Sequence, residues 1–158
     1  MRNYDHEKSI GFIVNNTTKM FQKIFDYELN KDVGLGLAQS KVIYALSLKP
    51  GMTQKELADK VGIETPTLVV MIDKMEKEHL VKRQNDKQDR RIKRISITSK
   101  ADRLVDSMIQ SALSIKKIAT KNISESEVKR TLENLNKISQ NLQNYWDSVY
   151  KKRIDVKK

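Results

Sequence analysis

Apolar residues recur along most of this chain at helical spacing and switch to strict alternation in one place. Over residues 5–30, Ile10, Ile13, Val14, Phe21, Ile24 and Phe25 make one stripe of a long helix. Val33-Gly34-Leu35-Gly36 breaks it. A second helix over residues 37–48 presents Val42, Ala45 and Leu46, and Pro50-Gly51 ends it. Thr53-Gln54-Lys55-Glu56 reads as a capping box, in which a threonine and a glutamate three residues on satisfy each other's backbone N–H groups. The short helix it opens packs Leu57, Ala58 and Val61 and stops at Gly62, where a left-handed residue is wanted. The next helix is expected to take Thr65 as N-cap and Pro66 as its first residue. Leu68, Ile72 and Met75 line its inner side, while Thr67, Val70, Lys74 and Lys77 point elsewhere.

The period then changes to two. Residues 79–83 read as a short, half-apolar strand, and residues 94–98 as a second with Ile95 and Ile97 inward. Residues 86–91 form a polar hairpin tip between them. Thr98 caps a long helix striped by Ala101, Leu104, Val105, Met108, Ala112, Ile115 and Ala119. Asn122-Ile123-Ser124 interrupts it, and Ser124-Glu125-Ser126-Glu127 is a second capping box. The last helix sets Val128, Leu132, Leu135, Ile138, Leu142, Tyr145 and Val149 on one side, heptad-like from Leu135 onward. The reading is a mainly α protein with a small β-wing: a winged helix-turn-helix flanked by long dimerisation helices. Residues 1–36 are expected to be an N-terminal dimerisation helix, 37–99 the winged domain, and 100–158 the C-terminal dimerisation helices. Too short for a free coiled coil, the last stripe needs the first and fifth helices and the same helices of a second chain.

Charge sharpens this picture. The 158 residues carry 31 Lys and Arg against 20 Asp and Glu, a formal net charge of +11. Such a surplus favours a polyanion, nucleic acid first and an anionic membrane surface second. Residues 82–94 hold seven basic and two acidic residues, and residues 151–158 hold five basic and one acidic. The absence of cysteine excludes disulfides, zinc–thiolate sites and thiol redox sensing. No apolar run approaches the roughly 20 residues of a membrane span, and the first six residues lack the apolar segment of a secretory signal. A cytoplasmic protein is expected.

Bases are read from the N-terminal end of a helix lying in the major groove. Thr65, Pro66 and Thr67 are placed for this, the threonines toward phosphates or thymine methyls and Pro66 toward thymine methyls alone. Val70 either joins them or packs inward. Thr53, Gln54, Lys74, Arg83 and Lys93 are further candidate contacts with double-stranded DNA. In the hairpin, Arg90 and Arg91 sit near the tip, and arginine suits a narrow minor groove of enhanced negative potential. Only one of two neighbours can enter a groove. Asp89, two residues before Arg91, is placed to brace it by a charge-assisted hydrogen bond.

Residues 52–101 resemble the winged-helix core of the MarR family, in particular its SlyA-like branch. The strings that carry the likeness are Thr53-Gln54-Lys55-Glu56-Leu57-Ala58, Gly62-Ile63-Glu64-Thr65-Pro66-Thr67-Leu68-Val69, Asp89-Arg90-Arg91 and Ile97-Thr98. The resemblance implies a dimeric transcription regulator on a pseudo-palindromic operator, with Arg91 in the minor groove and Asp89 as its brace. It also implies a small aromatic effector in a cleft bounded by the first, second and fifth helices, where Phe12, Ile13, Tyr44 and Arg103 are chemically suitable. Phe12 and Ile13 read first as ordinary core. The chain departs from the branch at Val70 and Gln88, where arginine is common, and at Ala101, where glycine is.

Two other classes compete. A non-specific architectural or RNA-binding protein would use the charge alone, but RNA readers carry exposed aromatics for stacking, and the wing has none. A membrane-surface role for the tail lacks an apolar face beyond Ile154 and Val156. An enzyme is not expected: there is no Gly-rich phosphate loop, no metal-ligand cluster and no recognisable nucleophile–base pair, and no cofactor is implied.

Overall fold

Helix ends in this protein are set by short-range side-chain chemistry, as a computed structural model of residues 5–86 and 88–155 describes, the last six as backbone only. Readings that rest on residues 1–4, on Lys87 or on the side chains of the 151–158 tail lie outside the described residues. After a 3-10 turn at His6–Lys8, α1 (Ile10–Val33) starts where the Ser9 hydroxyl accepts from the Phe12 N–H at 3.3 Å and ends at Gly34, φ 68°. Asp26 Oδ1 accepts from the Leu37 N–H at 2.8 Å and fixes the turn into α2 (Leu37–Leu48). The Thr53–Glu56 box opens α3 (Gln54–Val61): Glu56 Oε2 accepts from the Thr53 N–H at 2.8 Å, and Thr53 Oγ1 accepts from the Glu56 N–H at 3.2 Å. Gly62 ends α3 with φ 68°, a left-handed conformation that a side chain would oppose.

Several boundaries differ from the sequence reading: α1 runs Ile10–Val33 rather than over residues 5–30, the second strand is Lys93–Ile97 rather than residues 94–98, and two further differences have a local cause. α4 (Thr65–Lys77) is capped by Glu64, not Thr65, so Pro66 is the second helical residue. Proline forfeits no helical bond anywhere in the first turn, whose N–H groups have no partner along the helix, so it does not fix the start to one residue. The first strand, β1, is Val81–Asn85 rather than residues 79–83. His79 takes a left-handed φ of 57°, and the Leu80 N–H returns to the Met75 carbonyl at 2.8 Å, closing α4 before the strand begins. β1 pairs antiparallel with β2 (Lys93–Ile97), Val81 opposite Ile97 and Asn85 opposite Lys93. Met52 forms a bridge to Ile95 on the other edge of β2.

The chain divides into two units, Met1–Ile115 and Lys116–Lys158. In the first, Val42, Ile43, Leu46, Leu57, Leu68, Ile72, Met75, Val81 and Ile95 are fully buried and close the core beneath α4 and the hairpin. Thr98 caps α5 (Ser99–Ala119) by accepting from the Ala101 N–H at 3.3 Å. Along α1, by contrast, Ile10, Ile13, Val14 and Phe21 are exposed, and Leu29 alone is buried. In the second unit, Ser124 and Glu127 form the box that opens α6 (Glu125–Asp155). Leu132, Leu135, Leu142 and Tyr145 of its stripe are exposed. Among the described residues, no helix is long and apolar enough to cross a membrane.

Candidate nucleic-acid interface

The core sets the outward face of α4 by turning Leu68, Ile72 and Met75 inward. At about 100° per residue, the opposite side is centred on Pro66, Val70 and Lys77, with Thr67, Asp73 and Lys74 beside them. All six are exposed. Val70 is 70% exposed, so it takes the outward of its two open placements. Neither the Thr65 nor the Thr67 hydroxyl has a hydrogen-bond partner among the described residues. Thr53 and Gln54 lie at the start of α3, both half-buried, and the Thr53 hydroxyl is engaged with Glu56 Oε2 at 2.9 Å.

In the hairpin, Asp89 accepts three hydrogen bonds from Arg91. The Arg91 N–H and Nε donate to Oδ1 at 2.9 and 3.1 Å, and Nη2 donates to Oδ2 at 3.0 Å. The Arg91 side chain is nonetheless 91% exposed. Its guanidinium holds the Asp89 carboxyl below the ordinary range, and the same contact raises the arginine. The pair thus keeps both charges at neutral pH while the arginine projects into solvent. Arg90 is exposed and makes no ion pair among the described residues.

Arg83 occupies a different setting. Its side chain is 20% exposed and turns back onto α4, where Nη1 donates to Glu76 Oε2 at 2.6 Å and Nη2 to Asp73 Oδ1 at 2.5 Å. Burial lowers its pKa, but the hydrogen bonds it donates to Asp73 and Glu76 outweigh that and raise it overall. The Asp73 carboxylate, on the outward side of α4, is thereby neutralised. Lys93 donates to Asn85 Oδ1 on the neighbouring strand, and Lys74 lies 3.7 Å from Glu78.

Two residues that the sequence reading passed over hold the wing together. Asp86 Oδ1 accepts from the Gln88 and Asp89 N–H groups at 2.8 and 3.1 Å, and Oδ2 accepts from Arg94 Nε at 2.6 Å. The Arg94 bond first, then the two backbone N–H groups, lower its carboxyl to about 2. Arg94 also donates to the Gly51 carbonyl at 3.1 Å and stands 3.8 Å from Glu56. A chain of polar contacts therefore runs from the start of α3 through Arg94 and Asp86 to Asp89 and Arg91. An aspartate followed by two free N–H groups at the mouth of a turn is a readable signal for half of this. The Arg94 half needs the strand register.

The residues considered for an effector are dispersed in exposure. Phe12 is half-buried with its ring edge-on to His6 at 5.0 Å, while Ile13, Tyr44 and Arg103 are exposed. A cleft of about 500 Å³ between α1 and α5 is lined by Glu28, Asp32, Asp106, Ser111 and neighbours and by none of those four.

Comparison with known proteins places this arrangement. A family model described as MarR family matches residues 35–93. The crystal structure of a transcriptional regulator, PA3341, is 34% identical, covers 86% of this chain and 99% of its own, and has a TM-score of 0.76. The transcriptional regulator SlyA is similar in fold at 21% identity, covering 90% of this chain and 99% of its own, with a TM-score of 0.79. The transcriptional repressor CouR, bound to a 23-mer DNA duplex, is 22% identical over 88% of this chain and 99% of its own, with a TM-score of 0.76.

Proposed function

The chain belongs to the MarR family, and on that premise we propose that it is a sequence-specific, double-stranded-DNA-binding transcriptional regulator of the SlyA-like branch. It works in the cytoplasm as a homodimer on a pseudo-palindromic operator. α4 enters the major groove with Thr65, Pro66, Thr67 and Val70 toward the bases and Lys74 toward phosphate. The hairpin places Arg91 in the flanking minor groove, with Arg90, Lys93, Thr53 and Gln54 meeting the backbone. Arg83 acts in this reading as a brace between α4 and β1. The observation that carries the proposal is Arg91 itself: a guanidinium held at two points by a neighbouring carboxylate, which also takes the Arg91 backbone N–H, yet a side chain that is 91% exposed. A structural ion pair has no need of such projection, whereas a narrow groove rewards it.

Residues 1–36 and 100–158 supply the dimer seam, and 37–99 the winged domain. The uncovered apolar stripes of α1 and α6, each on its own helix, support this assignment. An aromatic-acid effector is placed at Phe12, Ile13, Tyr44 and Arg103, where Arg103 supplies the counter-charge, because the carboxylates of the α1–α5 cleft would repel an anion.

A gel-shift titration against operator duplex tests the central role. Arg91→Ala is expected to weaken specific binding about tenfold to a hundredfold with an unchanged circular dichroism spectrum. Unchanged affinity refutes the minor-groove role. Binding should also weaken steeply with salt, since several phosphates are neutralised.

A further inference from the structure

The part of α4 that meets the bases carries no group able to clamp a guanine. We infer that this protein reads its operator in the major groove through thymine methyl groups, so that the half-site bases under α4 are A·T pairs. The inference rests on the DNA-binding reading above and deepens it.

The first two turns of α4 expose Thr65, Pro66, Thr67 and Val70. Arginine or lysine reads guanine, and asparagine or glutamine reads adenine, each through two parallel hydrogen bonds. None of these types stands among the four. Pro66 and Val70 share the centre of the outward face and offer only hydrocarbon. A threonine adds one methyl and one hydroxyl, enough for a phosphate or a single acceptor but not for a bidentate pair.

The charged groups nearby do not fill the gap. Asp73, a carboxylate of the type that accepts from a cytosine amino group, already accepts from Arg83 Nη2 at 2.5 Å. Lys74 and Lys77 lie toward the other end of the helix, about 6 and 10 Å beyond Val70 at 1.5 Å per residue; Lys74 stands 3.7 Å from Glu78, and in the DNA-binding reading above it meets phosphate. Glu64 precedes the helix as its cap and makes no side-chain capping bond. A cytosine contact from Glu64 would appear as a fixed G·C pair, a result that the test below detects.

An exposed valine in the middle of a solvent face gains nothing by itself. Against the 5-methyl of thymine it buries both hydrocarbons, a match that no other base edge provides in the major groove. The wing makes the same demand by different physics, since arginine prefers the narrow minor groove of A·T tracts.

The experiment uses the full chain. Binding sites are selected from random duplexes, and the bases under α4 are located by methylation and hydroxyl-radical footprinting. Each contacted thymine is then replaced by deoxyuridine, which removes the methyl alone. Every such replacement is expected to weaken binding about fourfold, equivalent to about 0.8 kcal/mol per methyl. Val70→Ala, a substitution at an exposed helical position, should weaken binding to the thymine operator and become insensitive to deoxyuridine at one position.

A selected half-site with a fixed G·C pair under α4, or deoxyuridine operators that bind as well as the parent, overturns the inference while leaving sequence-specific binding intact. Failure of any sequence to outcompete random duplex removes the DNA-reading proposal itself, and this inference with it.

Discussion

Two regions of this molecule carry apolar residues at the same helical spacing and treat them in opposite ways. In the winged domain, Leu68, Ile72 and Met75 of α4 are fully buried among Val42, Leu46, Leu57 and Ile95. In α6, Leu132, Leu135, Leu142 and Tyr145 stand in solvent, Leu142 at 65% exposure. Periodicity therefore marks a face that needs covering without saying who covers it. The winged domain closes its core within the chain, through two short helices and a hairpin that bring distant residues together. α6 folds on local hydrogen bonds and a capping box, and leaves its stripe uncovered.

The largest effect should come from breaking the closed side. Ile72→Ala opens a cavity in a fully buried site and is expected to cost about 2–5 kcal/mol, read as a lower denaturation midpoint at constant slope. Next comes the open side. Leu142→Glu puts a charge into the proposed seam at two symmetric places, and each buried leucine there is worth about 1.5–3 kcal/mol. Dimerisation should weaken at least a hundredfold by sedimentation, with helix content retained. A dimer of unchanged strength would move the seam elsewhere.

Within the winged domain, Arg83→Ala removes the clamp on Asp73 and Glu76 and leaves two carboxylates facing each other. A stability loss of about 1–2 kcal/mol and weaker DNA binding should appear together, whereas Arg91→Ala should affect DNA binding alone. The smallest effect is a pH dependence at Asp86. Its folded pKa of about 2 lies below the ordinary carboxylate value of 3.8. Its contribution is therefore complete above the ordinary value and is lost as pH falls from there toward 2. The Gln88 and Asp89 amide resonances should shift across that window, and Asp86→Asn should abolish the transition.

These contrasts follow the sequence distance over which each feature is decided. Both capping boxes and the glycine stops are written within a few residues, and the sequence reading located them. The Asp89–Arg91 pairing spans two residues and was legible for the same reason. The sequence offers Arg83 only as a DNA contact because its partners lie seven and ten residues back on α4 and come within reach only after His79 turns the chain left-handed. No apolar pattern signals that turn, which also explains why the first strand begins two residues later than expected. Asp86–Arg94 requires the hairpin register, in which Val81 stands opposite Ile97 and Asn85 opposite Lys93.

The triple hold of Asp89 on Arg91 has a thermodynamic consequence. A long flexible side chain ordinarily surrenders rotamer freedom when it docks, at about 0.5–1.5 kcal/mol. Here most of that restriction is already present in the unbound protein, imposed by a carboxylate that need never approach the nucleic acid. On the proposed DNA-binding reading the finger is thus preorganised, with Nη1 left over for a groove, and replacing Asp89 with alanine should show up calorimetrically as a steeper entropic penalty on association.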